Sequence, residues 1–390
     1  MTADQPNDQL ALARTLYQDA AEGTARQPTF PLLLDHAVMS LEFSRALGED
    51  FDPETPFHAA LDLLNSASEV GPWLYRGAAQ AGWTAIQLAR FRGVRATGLS
   101  PIDDTVLGWL SAFPDHLDVD LPMGALGLGV YGLAHPDAAV REKLTSGVLD
   151  VIEARTEQDQ HGLFVRLCPS PARLADSSAG CRMVGVAHGT AGLVSYLASV
   201  VTSGLSAQPR ARLLLDETLR WLRAQRTDVG ATIFPHRVEA PDASPRATWC
   251  SGDPGVALAL SVAARATGSA EVSALAREVA AAVLARPQED CGVVDACICH
   301  GAAGLCWFGH RARTTFGAPA ADAVVAQWSR YLAEQRSAGH LTYFGPNGME
   351  RNFSFLEGDG GVALVLLYAA TGVQPCWEDL VLAVPITAVA

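Results

Sequence analysis

The chain has 390 residues, 49% hydrophobic and 18% charged, which is enough apolar material for one large domain or two ordinary ones and too much for a disordered chain. Its formal net charge of −14 argues against a nucleic-acid partner, because phosphate binding needs a clustered basic surface. Met1 to Asp8 is polar and acidic and carries no export signal, so the eight cysteines are expected in a reducing cytoplasm, buried, metal-bound or catalytic.

Residues 8–22 space their apolar positions as a helix does, with Gly23 as its expected stop. A second helix is expected from Pro31 to about Gly48, and Asp50 to Pro56 reads as loop. The longest stretch without a formal charge, Met183 to Pro209, could span a bilayer on length alone. Its His188, Thr190, glycines and serines favour a buried helix of a globular fold, so no transmembrane segment is expected.

From residue 77 a self-similar pattern takes over. Its units are Gly77-Ala-Ala-Gln80, Gly124-Ala-Leu-Gly127, Gly189-Thr-Ala-Gly192, Gly252-Asp-Pro-Gly255, Gly301-Ala-Ala-Gly304 and Gly358-Asp-Gly-Gly361. The intervals of 47, 65, 63, 49 and 57 residues suit a helical hairpin with variable loops. Most units open an Ala/Val/Leu run, such as Val256 to Leu260, and amphipathic segments such as Ala211 to Arg220 lie between them. Helices apolar all round are buried and amphipathic ones face water, so the alternation predicts buried inner helices wrapped by outer ones. Asp253 and Asp359 are expected as N-caps and Pro254 in a first helical turn. Strand signals are few, Thr342-Tyr343-Phe344 among them. Gly230 to Pro245 and Gly339 to Arg351 read as functional loops leading into glycine units.

Soft metal ligands stand at two of these turns: Cys250 before Gly252, and Cys299 with His300 before Gly301. Two thiolates and an imidazole make a zinc set with a fourth position open. Spacing alone leaves a buried structural cysteine equally open, and Cys297 is a rival ligand. His188 precedes Gly189, Asp120 lies four residues before Gly124, and Arg246 lies four before Cys250. Singly these read as a core histidine, a helix cap and a surface arginine. If all units open at one end of a barrel, the three converge with the metal.

The motifs Ala187-His188-Gly189-Thr190-Ala191-Gly192, Trp249-Cys250-Ser251-Gly252-Asp253-Pro254-Gly255 and Cys299-His300-Gly301 resemble the signature of the lanthionine synthetase C-like family. The resemblance covers about residues 70–370. It implies an all-α fold, an α/α toroid of about seven helical hairpins, with residues 1–390 as one domain and 1–69 as its N-terminal helices. It also implies one Zn2+ per chain on Cys250, Cys299 and His300, with His188, Asp120 and Arg246 as the catalytic histidine, aspartate and arginine.

The activity so implied is that of a lanthipeptide cyclase: a peptide cysteine thiol adds to dehydroalanine or dehydrobutyrine and closes a lanthionine ring. Metal coordination deprotonates a thiol, and the enolate formed needs charge stabilisation and a proton. His188 would give or take the proton, Asp120 would orient it or share the transfer, and Arg246 would hold Asp120 or stabilise negative charge. The partners expected are a dehydrated precursor peptide, a separate dehydratase and a transporter that could recruit the enzyme peripherally to a membrane. Glutathione addition to dehydroamino acids and a non-catalytic zinc scaffold are the alternatives. Three departures stand out: Ser251 where the family often has tyrosine, Gln80 in place of a glycine, and a Gly127 to Gly189 interval too short for a large inserted domain.

Overall fold

A computed structural model of the chain describes residues 5–66, 70–169, 179–227, 232–241, 246–345 and 347–386. Contacts divide the chain into two units. One comprises Met1–Glu69, Ala247–Trp249 and Leu284–Trp377; the other comprises Val70–Arg246, Cys250–Val283 and Glu378–Ala390.

In the second unit four helices are buried along almost their whole length: α4 (Ala78–Phe91), α6 (Ala125–Ala134), α8 (Thr190–Thr202) and α10 (Asp253–Thr267). They pack in that order, α4 on α6, α6 on α8 and α8 on α10. Amphipathic α5 (Ser100–Ser111), α7 (Ala138–Arg155) and α9 (Gln208–Ala224) cover α4, α6 and α8, and α11 (Ala270–Ala285) follows α10. The first unit repeats the scheme. Its buried helices are α2 (Phe30–Leu47), α12 (Ala302–Phe316) and α14 (Asp359–Thr371), with α14 packed on both others. Their amphipathic partners are α3 (Glu54–Ser66) on α2, α13 (Ala321–Ser337) on α12 and α1 (Gln5–Arg26) on α14. Among the described residues the only sheets are two short hairpins, β1–β2 (Glu157–Asp159, Gly162–Phe164) and β3–β4 (Tyr343–Gly345, Gly348–Glu350). No described helix is long and apolar enough to cross a membrane.

All six glycine units begin a buried helix, and in each the first glycine is the N-cap, in extended backbone. A helix start leaves its first N–H groups without partners. Here the preceding loop folds back over the helix end and supplies carbonyls seven residues upstream. Ala78 donates to Gly71 (2.9 Å), Leu126 to Val119 (3.2 Å), Thr190 to Met183 (3.0 Å), Ala302 to Asp295 (3.0 Å) and Asp359 to Asn352 (2.9 Å). The loop lies so close that a Cβ on the cap glycine would sit against it, for Gly358 at 2.5 Å from the Asn352 oxygen. The second glycine obeys the same constraint: a Cβ at Gly127, Gly192, Gly304 or Gly361 would overlap the carbonyl oxygen of Leu121, Val186, Ile298 or Phe355. Gln80 fills the corresponding place in α4 and accepts the Arg76 N–H through Oε1 (2.8 Å), where Arg76 takes a left-handed φ of 68°.

Four expectations need correction. Gly23 does not end the first helix; α1 runs on to Arg26, and a Cβ at Gly23 would collide with the Phe353 ring. Glu54 to Pro56 is not loop, since α3 begins at Glu54 with Pro56 in its first turn. Asp253 and Asp359 are not N-caps but first helical residues, and each carboxylate pins the chain that leads into its unit. Asp253 accepts from the Ile233 and Phe234 amides (2.9 and 3.0 Å), and Asp359 accepts from the Tyr343 hydroxyl (2.6 Å). The loops read as Gly230 to Pro245 and Gly339 to Arg351 lie partly outside the described residues.

Burial leaves one core group poorly matched to protonation. His310 of α12 is 3% exposed, with Arg313 against Nδ1 at 3.3 Å, and burial first and the Arg313 charge second push its pKa down to about 4. Because the folded pKa lies below the unfolded one, stability should be complete above about pH 6.5 and fall towards pH 4 by on the order of 3 kcal/mol. His310→Gln should flatten that slope in denaturant titrations; an unchanged slope would contradict a buried neutral imidazole. A glycine-to-alanine change inside a helix usually stabilises by about 1 kcal/mol. Gly192→Ala should instead destabilise by about 1–3 kcal/mol or more, because its methyl meets the Val186 carbonyl. Stabilisation would contradict the folded-back loop.

Candidate active site

The loops that cap the buried helices are also stitched to one another. In the second unit Tyr75 N–H donates to the Pro122 carbonyl (3.3 Å), Leu121 to Ala187 (3.0 Å) and Ala187 to Cys250 (3.0 Å). Leu121 serves where the pattern would use residue 122, because proline has no N–H. In the first unit Cys299 N–H donates to Leu356 (3.1 Å) in the same way. The stitch demands close approach: a Cβ at Gly185 would overlap the Cys250 carbonyl and the Ser251 backbone. Asp120, His188 and Cys250 therefore stand on three loops joined edge to edge.

Two of the expected catalytic residues meet directly. His188 Nδ1 lies 2.6 Å from Asp120 Oδ2, and Asp120 Oδ1 accepts the Met123 N–H at 3.1 Å. The Asp120 side chain is 4% exposed and the His188 side chain 47%, so a fixed carboxylate holds a ring that still reaches solvent. Arg246 opens the loop of Cys250. Arg246, Cys250 and His188 all act electrostatically on His236, whose pKa is lowered chiefly by burial, with Arg237, Arg246 and His188 adding to the effect and Cys250 opposing it. His236 was not singled out in the sequence. Its one signal was its place in the loop before the fourth unit.

The expected metal ligands also come together. The Cys250 and Cys299 sulfurs and an imidazole nitrogen of His300 all lie within 4.8 Å of one another. Two thiols and an imidazole match the donors zinc prefers, and three protein ligands leave a coordination position for substrate. Ser251, standing where the family often has tyrosine, places Oγ 3.6 Å from the Cys250 sulfur. Asp295, Cys297 and His300 form a second such group. However, Cys297 is 0% exposed, its sulfur accepts the His300 N–H (3.3 Å), and burial above all pushes its thiol up to about 11. Asp295 escaped the sequence reading as well, although it stands six residues before its cap glycine, as Asp118 and Arg246 do before theirs.

Thirteen chains among solved structures match this one. One is nisin cyclase, with a TM-score of 0.74 at 18% identity over 95% of this chain and 97% of that one. No curated protein sequence matches. The likeness carries the fold: the chain is an all-α toroid. Residues 111–382 match the family described as lanthionine synthetase C-like protein, and the chain belongs to that family.

Thiol reactivity offers a direct check on the geometry. Cys297 and Cys306, both 0% exposed and both raised to about 11 by burial, should resist alkylation in the folded protein. The half-buried Cys168 and Cys376 should react. Mass spectrometry after brief alkylation reads this out, and labelling of Cys297 as fast as Cys168 would contradict its burial.

Proposed function

We propose that the chain is a zinc-dependent lanthipeptide cyclase that adds peptide cysteine thiols to dehydroalanine or dehydrobutyrine residues. The observation that carries this reading is the convergence of Cys250, Cys299 and His300 in a member of the lanthionine synthetase C-like family. Zinc held by these residues would supply a Lewis acid that deprotonates a substrate thiol at neutral pH.

In the reaction a sulfur–carbon bond forms at the β-carbon of the dehydro residue, the C=C π bond breaks, and the enolate takes a proton at its α-carbon. Mass is unchanged. Asp120 fixes the His188 ring through Nδ1, so proton exchange with substrate falls to Nε2. His188 either accepts the thiol proton or returns one to the enolate carbon. Arg246 either stabilises the enolate oxygen or secures Asp120. Ser251, touching the Cys250 sulfur, stands in for any contact that the family's tyrosine makes. The reading takes residues 1–390 as one domain, supported by a structural likeness that spans 95% of the chain. A separate dehydratase must supply the dehydro residues, and any association with a membrane is peripheral, through a partner such as a transporter.

Incubation with a dehydrated, cysteine-containing peptide tests the reading. Free thiols should disappear without a change in peptide mass. His188→Ala should keep about one zinc per chain and slow thiol loss by roughly 10²–10⁴, whereas Cys250→Ala or Cys299→Ala should lose the metal. Thiol loss no faster than in buffer would leave only a scaffold. A mass gain with glutathione present would mean transfer to an external thiol instead.

A further inference from the structure

Beyond the ligands and the Asp120–His188 pair, one buried carboxylate touches the candidate metal centre without belonging to its donor set. Asp295 stands six residues before the cap glycine of α12, and its side chain is 1% exposed. Oδ1 accepts the Cys297 N–H at 3.0 Å, Oδ2 accepts the Phe344 N–H of β3 at 3.1 Å, and Oδ2 lies 3.2 Å from His300 Nε2. Room for this carboxylate depends on Gly301, where a Cβ would collide with Asp295 Oδ1. Two backbone donors therefore set its orientation without help from His300. It is a fixed post, built from its own loop and from the β3–β4 hairpin.

We infer that Asp295 is the positioning residue for His300: it binds the ring through Nε2–H, and Nδ1 is the nitrogen turned to a metal shared with Cys250 and Cys299. A neutral imidazole has one N–H and one lone pair, so a nitrogen that donates to a carboxylate assigns the lone pair to the other. A metal-bound histidine needs such a partner to fix its tautomer and ring angle, and losing the partner typically weakens metal binding about 10–100-fold. The rival grouping, with Asp295 and Cys297 as ligands, would have to give up the Oδ2–His300 Nε2 contact and put the metal on an oxygen that already accepts the Phe344 N–H. The hairpin gains a function as well, since Phe344 N–H is one of the two bonds that hold the post.

This inference rests on the zinc reading above, and the test separates the two. Zinc affinity is measured by chelator competition, and cobalt(II) absorption is recorded, on the full-length wild type and on Asp295→Asn, Asp295→Ala, Cys297→Ser and Cys250→Ser. Asp295→Asn should bind zinc about 10–100-fold more weakly and shift the cobalt bands, and Asp295→Ala should be worse, because asparagine keeps one oxygen for Nε2–H. Cys297→Ser should change neither quantity. Long-range proton–nitrogen NMR of the zinc-loaded wild type needs no variant to fold: it should show Nε2 of His300 protonated and Nδ1 bound to metal. Wild type without affinity for zinc would overturn both the function and this inference. Zinc bound through Nε2, or affinity within twofold of wild type in Asp295→Asn with unshifted cobalt bands, would overturn this inference alone. Loss of metal in Cys297→Ser but not in Cys250→Ser would overturn both, because it would move the metal off Cys250.

Discussion

The architecture depends on one backbone arrangement, a loop that folds back over the start of five of the buried helices (α4, α6, α8, α12 and α14) and gives its carbonyls to the helix's first amides. An ordinary N-cap side chain would satisfy one such amide. The folded-back loop satisfies more, as where Ala302, Ala303 and Gly304 donate to Asp295, Ala296 and Cys297. The cost is steric. The loop can approach only where the helix carries no Cβ, so glycines recur at the cap and three residues on. The same closeness lets neighbouring loops bond to each other, and it carries Cys250 against the loop of His188 through Gly185. Fold and site thus share one cause.

The helices pack closely behind those loops. Within the second unit, Gly82 of α4 receives the ring of Tyr131 from α6, and Gly129 of α6 receives that of Tyr196 from α8, at the same offsets from their cap glycines. Small residues let adjacent helices approach closely, and large rings fill the spaces that result. A frame this close-packed suits a site whose groups must hold position, as Asp120 holds His188.

Much of this was legible in sequence because a steric rule leaves a repeating mark. Six glycine units gave six buried helices, and the alternation of apolar and amphipathic runs gave their partners. A seventh buried helix, α2, left no such mark: it begins at Phe30-Pro31 with proline in its first turn. Gly23 misled for the opposite reason, being a contact for Phe353 and not a stop. Cys250, Cys299, His300, His188 and Asp120 stand out in the sequence because each lies within four residues of a cap glycine. Asp295 and His236 do not, because their setting comes from the fold: Asp295 accepts the N–H of chain-distant Phe344, and His236 is buried, which is the chief cause of its lowered pKa. One chain shows no such contacts.

The claim that matters most is which side chains hold the metal. X-ray absorption at the zinc edge of the purified, zinc-loaded protein reads the donor set directly. Ligation by Cys250, Cys299 and His300 predicts two sulfur atoms at about 2.3 Å and one imidazole nitrogen at about 2.0–2.1 Å. A single sulfur accompanied by a carboxylate oxygen would instead place the metal on Asp295, Cys297 and His300, and would contradict the site proposed for this protein.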